Sequence, residues 1–87
     1  LAVVRDPRVR AYVLQRAGGV CECGCAITYP YLQCHHVHAL GKGGEDSVFN
    51  AIALRPDCHV RADREQDFNE QLLLRLEVIE PREAEAL

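Results

Sequence analysis

The chain has 87 residues, 48% hydrophobic and 26% charged, which fits one small folded domain and excludes a disordered chain. No apolar run reaches the ~20 residues of a membrane span, and a domain this small gains from an added staple such as a bound metal. The formal net charge of −3 is unevenly spread: residues 1–64 hold eight Lys/Arg against six Asp/Glu, a balance of +2, while residues 65–87 hold two against seven, a balance of −5. The acidity therefore sits in the tail, and the histidine-bearing part is mildly basic, which permits contact with a polyanion without demanding it.

In chain order, Asp6-Pro7 reads as a helix start, with Asp as N-cap and Pro pre-set for the first turn. Val9, Tyr12, Val13 and Ala17 mark one face, and Gly18-Gly19 ends the helix. Cys21-Glu22-Cys23-Gly24-Cys25 forms a tight knuckle and Tyr29-Pro30 a turn. Residues 31–37 are rich in strand formers. Gly41, Gly43 and Gly44 bend the following loop, which ends on Glu45-Asp46-Ser47. Residues 48–54 alternate as a second strand, interrupted by Asn50. Pro56 opens a helix carrying His59 and Asp63 four apart, hence on one face. A last amphipathic helix over 67–80 places Phe68, Leu72, Leu76 and Ile79 on one stripe with Leu73 beside it; Pro81 stops it, and residues 82–87 read as frayed. No secretory leader is visible, and a start at Leu1 rather than Met reads as a piece of a longer chain.

Five cysteines, an odd number with three crowded together, point to metal binding in a reducing compartment, the cytoplasm, rather than to a disulfide scaffold. The histidines define the chemistry. Strand, loop, strand and helix bring His35, His36 and His59 together. A divalent ion needs two or three protein ligands and open positions for water and phosphate. His59 and Asp63 supply two and one of the His35-His36 pair a third; the other histidine is then free as a general base, since imidazole, with a pKa near ~6.5, suits proton removal at neutral pH. Adjacent strand residues point to opposite faces, so both histidines reach one site only where the strand ends or twists. Asn50 pins the loop. His38 reads as a loop residue, with substrate contact as the alternative. Lys42, Arg61 and Arg64 are candidate phosphate contacts, each also readable as solvated surface charge.

His35-His36, Gly43-Gly44, Asn50 and Leu54-Arg55-Pro56-Asp57-Cys58-His59, in that order, resemble the HNH endonuclease family over residues 19–64. The segment Arg10-Ala11-Tyr12-Val13-Leu14-Gln15-Arg16-Ala17-Gly18-Gly19 and the tail helix are similar to the HNH domains of Mcr-type, modified-cytosine-dependent restriction enzymes. The resemblance implies an α+β fold: a ββα-metal, treble-clef-like core flanked by N- and C-terminal helices, one domain over 1–87. It implies a metal-dependent DNA endonuclease of restriction type, with His36 as general base, His35 and His59 on the metal, and Asn50 holding the loop and orienting His36. A separate DNA-reading domain or a homodimer commonly accompanies such a domain; a membrane does not.

Two positions depart from the family pattern. Many relatives carry histidine where this chain has Asp63, an oxygen ligand that favours Mg²⁺ or Mn²⁺ over Zn²⁺, with Ni²⁺ also admissible. Relatives often fold around a structural zinc held by two Cys-x-x-Cys pairs; here Arg55 replaces the first member of the second pair. Cys21, Cys58 and two of Cys23, Cys25 and Cys34 still allow a four-cysteine site; otherwise the knuckle is degenerate. Two competing readings are a DNA-binding module that kept the fold and lost the chemistry, and a structural zinc module that docks proteins through a partly exposed face of Leu72, Leu73, Leu74 and Leu76.

Overall fold

A computed structural model describes residues 5–82; the expected fraying of the tail falls, from residue 83 on, outside the described residues. Helix α1 runs Pro7–Ala17. Asp6 caps it by accepting the Arg8 N–H at 2.9 Å, and Gly18 closes it in the left-handed conformation at φ 58°, where glycine carries no Cβ penalty. Val9 and Val13 are buried and Leu14 and Ala17 pack beside them, but Tyr12 is 47% exposed. At roughly 100° per residue, Val9, Val13 and Ala17 span a narrow arc and Tyr12 falls outside it, so the expected four-residue stripe narrows to three.

The knuckle folds back on itself through a bridge between Val20 and Thr28 and a hydrogen bond from the Cys21 N–H to the Ile27 carbonyl at 2.9 Å. Strands β1 (Gln33–His36) and β2 (Ala51–Leu54) then pair antiparallel, His35 opposite Ile52 and His36 opposite Ala51. Both are shorter than the sequence pattern indicates. Residues 47–49 are spent on a turn closed by Asn50 N–H to Ser47 O at 3.1 Å, so β2 starts only at Ala51. All four β2 residues are buried, because α1, α2 and α3 all pack on this strand; the expected alternation is absent for that reason.

Helix α2 (Pro56–Arg64) and helix α3 (Gln66–Ile79) follow, separated by Glu65 alone. The order β1, β2, α2 is the ββα core that the resemblance implies, flanked by α1 and α3. On α3, Phe68, Leu72 and Leu76 are buried, while Leu74 is 63% exposed. The apolar face thus closes the domain's own core, against the protein-docking reading. Among the described residues, no helix is long and apolar enough to cross a membrane.

A buried polar cluster locks these parts together. The Arg16 guanidinium pairs with the Glu22 carboxylate at 2.8 Å and with Glu80 at 3.2 Å, and donates to the carbonyls of Ala51 (2.9 Å) and Val48 (3.1 Å). The Glu22 carboxylate accepts the Ala53 N–H, and the Glu22 N–H donates to the Ala53 carbonyl. The edge of β2 away from β1 is thereby satisfied without a third strand.

Candidate active site

His35 and Gln33 are two apart on β1 and so share one face. The side chain of His59, at the end of the first turn of α2, meets both. Its ring centroid is 4.9 Å from that of His35, and its Nδ1 lies 2.6 Å from Gln33 Oε1. Asp63, one turn on, places Oδ2 4.0 Å from His59 Nε2. One ligand atom from each of His35, His59 and Asp63 lies within 4.8 Å of the others, a spacing that suits a shared cation. His35 is buried, with Nε2 2.7 Å from Asn69 Oδ1 on α3. Burial holds its imidazole below the ordinary value, although the Asn69 contact works in the opposite sense; a neutral ring is the form that binds metal.

His36 is the last residue of β1, where the ladder ends. It lines the same cleft, of about 790 Å³, as His35, His59, Asp63 and Lys42. Its Nε2 is 2.9 Å from Asp46 Oδ1. Asn50 is 3% exposed and holds the intervening loop: its Nδ2 donates to the carbonyls of His38 (2.9 Å) and Glu45 (2.7 Å), and its Oδ1 accepts the His38 N–H (2.9 Å). Its own carbonyl takes the Val37 N–H. The loop is drawn in so tightly that a Cβ at Gly44 would collide with the His38 carbonyl, a close approach only glycine allows.

The cysteines form a second cluster on the knuckle and the start of α2. Single ligand atoms of Cys21, Cys23, Cys25 and Cys58 all lie within 4.8 Å of one another. Cys21 and Cys23 sulfurs are 3.6 Å apart and Cys23 and Cys58 sulfurs 3.8 Å. Four thiolates around a tetrahedral zinc, with Zn–S about 2.3 Å, stand about 3.8 Å apart, so the donor set and its spacing fit that ion. Cys34 lies outside the group, on β1. Arg55, at the place of the missing cysteine, turns its backbone N–H toward Cys21 Sγ at 3.4 Å and its guanidinium toward Cys58 Sγ at 3.7 Å.

A model of the HNH endonuclease family matches residues 19–65, more than half of the chain and the whole of both clusters apart from Asn69. The chain belongs to the HNH endonuclease family. This HNH domain is 46% identical over 63 residues to the type IV methyl-directed restriction enzyme EcoKMcrA of Escherichia coli (strain K12), covering 64% of this chain and 23% of that protein. Its fold matches the structure of the type IV phosphorothioation-dependent restriction endonuclease ScoMcrA with a TM-score of 0.75 and 33% identity, over 86% of this chain and 16% of that one. The chain thus spans a quarter or less of the length of these relatives.

Of the basic residues expected at phosphate, Lys42 lines the cleft of the HNH histidines. Arg61 is engaged elsewhere, paired with Glu65 at 2.9 Å and stacked over Phe68 at 4.1 Å. Arg64 is exposed, with no ion pair among the described residues. Gln33, Asp46 and Asn69 touch the histidines without having been singled out as site residues. The period-2 spacing of Gln33 and His35 is a signal that finds the first; nothing local marks the pairing of Asn69 with His35, which are 34 residues apart.

Proposed function

We propose that this HNH domain is the DNA-cleaving part of a restriction-type endonuclease acting on modified DNA, working in the cytoplasm with a separate DNA-reading domain and able to act as a homodimer. The observation that carries the reading is the convergence of His35, His59 and Asp63 on one point, in a cleft that His36 also lines. The similarity to two restriction enzymes supports the restriction role.

In this reading His35, His59 and Asp63 hold a divalent cation, Mg²⁺ or Mn²⁺ by the oxygen ligand of Asp63. When bound, the cation would supply positive charge to offset the negative charge that develops in phosphodiester hydrolysis. His36 accepts a proton from water as the water oxygen forms its bond to phosphorus; the bond from phosphorus to the 3′ oxygen breaks, and that oxygen leaves with the electron pair. Asn50 keeps the loop after His36 in place, so the base stays directed at the phosphate. Lys42 contacts a neighbouring phosphate, and Arg61 and Arg64 lie on the flank of α2. The Cys21, Cys23, Cys25 and Cys58 cluster would hold a structural zinc, apart from the histidine cleft.

The test is nicking of supercoiled plasmid with Mg²⁺ or Mn²⁺ and with EDTA, comparing the wild-type chain with His36→Ala. Metal-dependent nicking is expected, reduced about 10²–10⁴-fold in the variant at unchanged fold. Undiminished cleavage by His36→Ala would refute the base; salt-sensitive DNA binding with no turnover by folded wild-type protein would favour the non-catalytic module.

A further inference from the structure

His36 has a partner that is neither among the motif residues named above nor in the cluster of His35, His59 and Asp63. Asp46 closes the glycine loop, ten residues from His36, and its two carboxylate oxygens are separately engaged. Oδ1 lies 2.9 Å from His36 Nε2, and Oδ2 accepts the backbone N–H of Asp6, the N-cap of α1, at 2.6 Å. Both side chains are largely withdrawn from solvent, at 12% and 19% exposure. The loop cannot swing Asp46 away cheaply, because Asn50 holds the preceding Glu45 carbonyl at 2.7 Å.

The chemistry of this pair is directional. The Asp6 N–H first, and His36 second, hold the Asp46 carboxyl below the usual carboxylate range, so Asp46 is ionised. An ionised carboxylate only accepts hydrogen bonds, so the hydrogen between the two residues belongs to His36 Nε2. The lone pair of the neutral ring is then on Nδ1. Which ring nitrogen is protonated is set by the hydrogen bond the other makes, and a carboxylate behind a catalytic imidazole fixes both tautomer and orientation.

We propose that Asp46 is a positioning residue: anchored by the start of α1, it fixes His36 in the Nε2–H tautomer, so that Nδ1 is the atom that takes the proton from water. This rests on the reading of His36 as base and deepens it. Asp6 lies outside the residues matched by the family model, so α1 reaches the reaction through Asp46.

The experiment pairs a spectrum with kinetics on the whole chain. Long-range proton–nitrogen correlation NMR at about pH 8.5, where ordinary imidazoles are neutral, reads each histidine's tautomer; loss of a signal in His36→Ala assigns His36. The wild-type protein is expected to show the Nε2–H pattern. Asp46→Ala is expected to shift that pattern toward a mixture and to lower kcat for plasmid nicking about 10–100-fold, with KM within about twofold. Asp46→Asn, whose amide can present a donor instead, is expected to lower kcat as well and serves if the alanine variant does not fold. An Nδ1–H pattern in the wild type, or wild-type kcat in either folded variant, overturns the proposal. If His36→Ala is inactive while the Asp46 variants are fully active, only the positioning role fails; if His36→Ala still cleaves, the reading of the base fails with it.

Discussion

His35 shows how one buried side chain ties metal readiness to stability. Burial lowers its proton affinity in the folded state. The unfolded chain therefore binds a proton at a pH where the folded chain does not, and stability rises with pH through that window. The contribution is complete above the ordinary imidazole value of ~6.5 and is lost as pH falls below it. Urea midpoints without added divalent metal are expected to drop between about pH 7 and pH 5, and His35→Leu to flatten that part of the profile. A variant profile as steep as the wild type would show that His35 is not the group responsible. Asn50 was legible at this same scale: an asparagine between a glycine loop and an apolar run is suited to satisfying loop backbone groups, and its side chain meets three of them. Asp46 was not legible as a partner of His36, because an acidic residue at a loop end reads as solvated until the strand beside it is known.

Among the elements, the knuckle is the least regular. Residues 22–25 have no regular secondary structure beyond turns, Ala26 takes a left-handed φ of 60°, and the segment is tied to α2 by sulfur contacts between Cys23 and Cys58. A zinc at this point would join the knuckle to α2, and its binding energy would be folding energy. Purified protein is expected to carry about one structural zinc per chain. A strong chelator or Cys58→Ser should unfold it, as followed by circular dichroism and metal analysis, whereas Cys34→Ser should leave the zinc content unchanged. Folded, zinc-free wild-type protein would sink the structural-zinc assignment. The sequence left Cys34 open beside Cys23 and Cys25 as a ligand; Cys34 sits on β1, outside the group of four sulfurs.

Across the whole molecule, Arg16 does what no single element does. From α1 it reaches Glu22 of the knuckle, the β2 strand and its approach, and Glu80 at the end of α3. Removing one partner of a buried pair leaves the other charge uncompensated, which costs about 3–5 kcal/mol. Arg16→Ala is expected to lower stability to urea by about that amount, and Glu22→Gln added to it to recover part of the loss. Strict additivity of the two changes would show that they are not coupled.

The sequence by itself determined the parts whose causes are local. The caps of α1, the proline that opens α2, the four-residue spacing of His59 and Asp63, and the ordered histidine, glycine and asparagine motif are readable because each depends on neighbours within a turn or a loop. Only the tertiary structure decided which cysteines gather, where β2 begins, that His35 and His36 share a cleft at a strand end, and that Asp46, Asn69 and Gln33 stand against the histidines. These depend on contacts between residues far apart in the chain, where the free energy comes from burial and pairing across elements and leaves no local periodicity to read.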